Sequence, residues 1–247
     1  MRLIAILFLL LFSFFTTTNG FLERQLNHPR VKIAYAKKES IIRYMLSEKQ
    51  IDKNHFNLYF RAFKEEQSFE IWAKNSYQET FRLIKTIPFC TTSGNAGPKR
   101  KQGDRQIPEG FYHIAVFNPQ SEYYLSLGIN YPNKSDSILG ERGKLGGDIY
   151  IHGGCESIGC IPLTDDKIEE VYLFAVLAKD AGQTEIPIHI FPNRMNTPNY
   201  KYLIDNHDDN TLRRFWGNIR TGYLLFEQYG TVPSITINSL GIYEFEK

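Results

Sequence analysis

Between residues 56 and 153 the apolar positions fall into short runs, FNLYFRAF, SFEIWAK, ETFRLIKTIPFC, GFYHIAVFN, EYYLSLGI and GDIYIHG, rich in aromatic and β-branched side chains. Polar turns containing Gly, Pro, Asn and Asp separate them, which is the pattern of an antiparallel β domain. Two stretches carry a different period. In KESIIRYMLSEKQ (38–50) the residues Ile41, Ile42, Met45 and Leu46 recur at helical spacing and predict a short amphipathic helix. In TDDKIEEVYLFAVLAKDAG (164–182) the residues Ile168, Val171, Tyr172, Ala175 and Ala178 share one helical face. Thr164 or Asp165 can cap that helix and Gly182 can end it. IPIHIFP (186–192) reads as one further strand. From about 196 the chain reads as an appendage with a helix over 211–229. Its apolar face is Leu212, Phe215, Trp216, Ile219, Tyr223 and Phe226, and aromatic residues at that spacing signal core packing.

The N-terminus follows neither period. Arg2 is followed by the 13-residue stretch LIAILFLLLFSFF and then by TTTNG. A bilayer-spanning helix needs about 20 apolar residues, so this stretch is short for an anchor. A basic start, a short apolar centre and small polar residues after it make a secretory signal peptide, residues 1–20, with cleavage after Gly20. The alternative is an uncleaved membrane tether; either way the working domain is exported. Hydrophobic residues make up 42% of the chain and the net charge is +2, which fits a packed globular core. That balance argues against a dedicated nucleic-acid binder. One local exception is GPKRKQGDR (97–105), with four cations and one Asp, either a solvated loop or a binding loop for an anionic substrate.

Export changes how the three cysteines, Cys90, Cys155 and Cys160, are read, because paired thiols oxidise in such compartments and an odd number leaves one over. A zinc site needs four ligands, usually in paired short spacings, and C-x4-C with His152 nearby does not supply them. A Cys155–Cys160 disulfide would close a very small loop and constrain little, so a redox switch is its better reading. Cys90–Cys155 is an equally allowed bridge. The nucleophile reading draws on more residues. Strand alternation in DIYIH puts Asp148, Tyr150 and His152 on one face. The glycines at 153 and 154 allow a sharp return that brings His152 toward Cys160, and a thiol beside a base is the minimum for covalent acyl transfer. Gly159 removes a side chain where a substrate backbone must approach, Ser157 can bond within the loop, and N–H groups around Gly159 and Cys160 can face an oxyanion. A thiol just before a helix also lies near a positive dipole end, which favours thiolate. On spacing alone, a buried structural His152 and a packing Cys160 explain the residues equally well.

The segment IHGGCESIGCIPL resembles the active-site signature of the L,D-transpeptidase (YkuD-type) catalytic domain, and most closely the YafK-like murein transpeptidase-related branch. TSGNAGPKRKQGDRQIPEGFYHI (92–114), FNPQSEYYLSLGINYPN (117–133) and IHIFPNRM (188–195) are similar to the same branch. The resemblance implies a mainly β, α+β fold. A β-sandwich or barrel-like catalytic domain spans 54–195, with a helix after the active-site loop. A helical segment, 21–53, precedes it, and a C-terminal helical extension, 196–247, follows. It implies that Cys160 is the acylated nucleophile and His152 its base, that Gly153 orients His152 through its backbone, and that Ser157 and Gly159 shape the nucleophile loop. The implied reaction is attack on the carbonyl of a diamino acid in a peptidoglycan stem peptide, with loss of D-Ala. Transfer then goes to an amine, with a wall-linked protein as one acceptor or substrate, or to water. No metal or cofactor, no nucleic acid, and a periplasmic or cell-envelope location follow from the resemblance. A membrane partner follows only if the N-terminal stretch is uncleaved. Two departures bear on how a carboxylate is held: Ile158 stands where the family has His, and Pro162 where it usually has Arg or Asn. Tyr131 and Arg105 are the weaker candidates for substrate contact, set against a turn aromatic and a surface ion pair with Asp104. The rival readings are a non-catalytic wall-binding module and a redox sensor built on Cys155 and Cys160.

Overall fold

The computed structural model describes residues 20–246, so the expected signal peptide lies outside the described residues except for Gly20. Two helices, α1 (Phe21–Leu26) and α2 (Pro29–Glu48), precede the strands β1 (Phe56–Phe63), β2 (Ser68–Asn75), β3 (Arg82–Pro88), β4 (Gly110–Asn118) and β5 (Ser126–Ile129). Then come α3 (Lys134–Leu139), β6 (Tyr150–His152), β7 (Ile161–Pro162), α4 (Asp165–Asp180) and β8 (Pro187–Phe191). The C-terminal part holds α5 (Thr197–Asp205), α6 (Asn210–Tyr229) and a hairpin of β9 (Ser234–Ile237) and β10 (Tyr243–Glu246). The first eight strands form one sheet in the order β3-β2-β1-β8-β4-β5-β6-β7. β4 pairs with β8 through residues 110–113 and with β5 through 114–118, with a register break between Ile114 and Val116. An extra residue in one strand bends it, and here the bend turns the sheet on itself. Beyond β3, Cys90 N–H donates to the Pro162 carbonyl of β7 at 3.1 Å, so the two ends of the strand order meet.

Central strand β1 shows why the runs in this sequence are so apolar. Leu58, Phe60 and Ala62 point into one core with α4, while Phe63 belongs to a second core with Trp216, Ile219 and Tyr223 of α6. Strand residues alternate between faces, so a strand covered on both sides has no polar face to show. Arg61 lies on the α6 side, paired with Glu70 at 2.8 Å and Glu227 at 2.6 Å and flanked by the rings of Trp72 and Phe226. A buried cation needs such partners, because isolated charge is costly away from water.

Several expectations shift. The pairing is not wholly antiparallel: β8 runs parallel to β1, and β6 parallel to β7. Parallel neighbours need a crossover, and α4 supplies one before β8. The helix expected at 38–50 begins at Pro29, a residue suited to the first helical turn. Its pattern was faint because Lys38 is buried against Asp166 while Ile33 and Ile41 are exposed. The expected face of α4 is buried, but so are Leu173, Phe174 and Val176, since α4 lies between the sheet and α1 and α2.

Candidate active site

Strand β6 and the loop after it build the site. Ile149 and Ile151 anchor β6 in the core, which leaves Tyr150 half-buried and turns His152 toward a cavity of about 750 Å³. His152 and Cys160 both line that cavity, with Tyr123, Tyr150 and Ser157. His152 is 3% exposed, and its Nδ1–H donates to the Gly153 carbonyl at 2.6 Å. A carbonyl only accepts, so the neutral ring carries its lone pair on Nε2, the nitrogen a general base uses. Burial lowers the His152 pKa, with the Gly153 bond partly opposing it, which keeps the ring neutral. The Tyr123 ring lies against the imidazole, centroids 4.6 Å apart and planes tilted by 34°. Gly153 is glycine for a packing reason: a Cβ there would meet Asp165 Oδ1 at 2.5 Å and the Tyr123 carbonyl at 2.8 Å.

The thiol is held by backbone. Tyr150 N–H donates to Cys160 Sγ at 3.4 Å, and Sγ donates to the Asp148 carbonyl at 3.6 Å. The resting sulfur is therefore turned to these groups and makes no hydrogen bond to His152. Burial pushes the thiol pKa up, offset only in part by the Tyr150 N–H and the Lys99 cation. Desolvation is the largest influence on this thiol and acts against the thiolate that the start of α4 was expected to favour. Ser157 organises the loop, donating to the Cys160 carbonyl at 2.8 Å and accepting from Gly159 N–H at 3.2 Å, with Ser93 Oγ 3.0 Å away. The Gly159 N–H is thus spent on Ser157 and does not face the cavity as an oxyanion donor. Gly159 has φ +137°, and a Cβ there would lie 3.0 Å from the Gln106 carbonyl.

Cys90 and Cys155 form a disulfide with Cα atoms 5.4 Å apart, and Cys160 is the free cysteine. That pairing ties the loop between β6 and β7 to the segment after β3, and it leaves Cys155 bonded away from Cys160. Thr164 stands at the α4 N-cap without a side-chain cap bond, and Asp165 turns back to accept from Gly154 N–H at 3.0 Å. Tyr131 and Arg105 are not brought to this cavity. Tyr131 is 6% exposed under the Lys99 and Leu145 carbonyls. Arg105 is exposed at φ +58°, and Asp104 pairs with Lys99 at 2.7 Å instead. Among the described residues no group of three or more His, Cys, Asp or Glu is placed to hold a metal ion.

Two contributors had no signal in the motif. Tyr123 reaches His152 because β5 pairs with β6, Ser126 opposite His152, which only the sheet register reveals. Arg30 of α2 donates to the carbonyls of Ser121 and Tyr124, both at 2.6 Å, and so clamps the turn that carries Tyr123.

Residues 59–190 match the model of the YkuD family, the L,D-transpeptidase catalytic domain. Over 182 residues the chain is 35% identical to YafK of Escherichia coli K12, provisionally named an L,D-transpeptidase, covering 73% of this chain and 70% of that protein. This chain belongs to the L,D-transpeptidase catalytic domain family. YafK of Escherichia coli O157:H7 matches to the same extent. Among solved structures, the helical cell shape determining protein Pgp2 of Campylobacter jejuni overlaps at a TM-score of 0.43 and 18% identity, covering 79% of each chain. The fold is the mixed α+β arrangement expected of the family, dominated by the curled eight-stranded sheet.

Proposed function

We propose that this chain is an exported cysteine acyltransferase acting on peptidoglycan stem peptides, with Cys160 as nucleophile and His152 as general base. The observation that carries the reading is a free thiol sharing one cavity with a buried histidine whose Nδ1 is already tethered. Rotation about the Cys160 Cα–Cβ bond takes Sγ from the Asp148 carbonyl toward Nε2. The S–H proton passes to Nε2 as sulfur attacks the carbonyl carbon of the diamino acid. The oxyanion is met by the Cys160 N–H, since Gly159 N–H is engaged by Ser157. Collapse expels D-Ala, its amine taking the proton from His152, and leaves a thioester. An incoming amine then gives a cross-link or an attached protein, and water gives hydrolysis at the same bond.

Residues 54–195 form the catalytic unit in this reading, with 21–53 and 196–247 as flanking segments. Export rests on the N-terminal apolar stretch, and no helix among the described residues is long and apolar enough to cross a membrane. The test is incubation of the full chain with muropeptide tetrapeptides, followed by mass spectrometry. Release of D-Ala or a new dimer, absent with Cys160→Ala, supports the proposal. A wild-type chain that forms no thioester with any stem peptide overturns it in favour of a wall-binding module.

A further inference from the structure

A second cavity of about 770 Å³ shares no lining residue with the first. Its walls come from segments that the reaction above leaves unused: the basic loop, α6 and the turn between β9 and β10. Two cations face it. Arg100 lies over the Phe215 ring at 4.8 Å and keeps a 3.3 Å contact with Asp136. Arg214 is exposed and, among the described residues, is paired with no carboxylate. The one carboxylate in the lining, Asp209, is engaged as the α6 cap by the N–H groups of Thr211 and Leu212 at 2.7 and 3.2 Å. Arg100 is thus balanced by Asp136, and Arg214 is the lining cation left to meet an anion.

The rest of the wall is apolar and open. Leu139, Leu240 and Ile242 converge there at 40%, 66% and 43% exposure, although they come from two distant parts of the chain. Clustered exposure of large apolar side chains marks a binding surface. The Thr211 side chain lines the same wall, whereas Gln106 Oε1 already accepts from Asn95 N–H at 3.1 Å. An acyl chain would cover the Thr211 hydroxyl without pairing it, at a cost, whereas a peptide amide pairs with it. The size suits a ligand of a few residues.

We propose that this cavity binds a short peptide by its C-terminus, the free carboxylate on Arg214 and an apolar last side chain against Leu139, Leu240 and Ile242. The site lies beside the nucleophile loop, since Gln106, which lines it, packs its carbonyl against Gly159. Titration calorimetry on the full chain carrying Cys160→Ala, with acetyl-Ala-Ala-Leu as free acid and as C-terminal amide, tests it. Working on that variant separates this result from the fate of Cys160 as nucleophile. The acid is expected to bind with a sub-millimolar Kd and the amide at least tenfold more weakly. Arg214→Ala and Leu240→Asp, both at exposed positions, are each expected to weaken the acid at least tenfold with an unchanged Tm. Alkylation of wild-type Cys160 is expected to leave peptide binding intact. Equal binding of acid and amide, no effect of Arg214→Ala, loss of binding on alkylation, or stronger binding of laurate at the same site overturns the proposal.

Discussion

At Cys160 two influences oppose each other: backbone donors and a nearby cation favour thiolate, and burial disfavours it more strongly. Both shifts favour the neutral forms, thiol and imidazole, so in the proposed reaction the proton moves during attack. Iodoacetamide labelling of Cys160 followed against pH is expected to show a midpoint above the ~8.5 of a free thiol. A midpoint well below that value would mean a preformed thiolate–imidazolium pair. Removing His152 as the proton acceptor, by His152→Ala, is expected to slow acylation by about 10²–10⁴-fold while far-UV circular dichroism stays unchanged. Gly159 makes a steric prediction. With φ at +137° and Gln106 against it, Gly159→Ala is expected to lose about 1–3 kcal/mol in urea unfolding and to slow acylation. His189 makes a thermodynamic one. It is fully buried beside Tyr59, its Nδ1 2.7 Å from that hydroxyl, and burial pulls its pKa down to about 3. A depressed folded-state value means stability is full above pH 6.5 and is lost as pH falls toward 3. Linkage puts the loss on the order of 3 kcal/mol between pH 6.5 and 4. His189→Gln is expected to flatten that slope in melts run across the range.

Elements outside the matched residues 59–190 hold the site in place. Arg30 of α2 fixes the turn behind Tyr123, and Tyr123 lies on the His152 ring. Arg30→Ala is expected to lower turnover severalfold with a small change in Tm, because it frees the turn and leaves the core intact; Tyr123→Phe keeps the ring face and should keep most activity. An Arg30→Ala chain with wild-type turnover would show that the clamp does nothing for His152. Most strands before α5 and the helices α4 and α6 were legible because their side chains alternate or recur as the burial demands, whereas α5 and the β9–β10 hairpin were not read. The α6 face is a case in point: Phe215, Trp216, Ile219, Tyr223 and Phe226 are all buried. What escaped was set by distant neighbours. β7 is two residues long and exists through its pairing with β6, and α2 hides a buried Lys38 whose partner, Asp166, is 128 residues away. Cys160 and His152 were readable as a pair because a short loop joins them. Tyr131 was not readable as core, since its burial depends on the Lys99 and Leu145 carbonyls folding over it.

Across the whole molecule the Cys90–Cys155 bridge joins points 65 residues apart. Closing a loop of that length removes roughly 4 kcal/mol worth of unfolded-chain freedom in the entropic account. Cys155→Ala is expected to lower stability by about 2–4 kcal/mol while most acylation survives well below the new Tm. Acylation as dead as in Cys160→Ala would make Cys155 the better nucleophile candidate. The same bridge has a bearing on how the protein must be made. Three thiols can pair in three ways, and only this pairing leaves the sulfur at 160 able to react. Chains oxidised into either other pairing are expected to be inactive, so specific activity is expected to report oxidation history. Peptide mapping without reductant should find that activity rises in proportion to the fraction carrying the Cys90–Cys155 link.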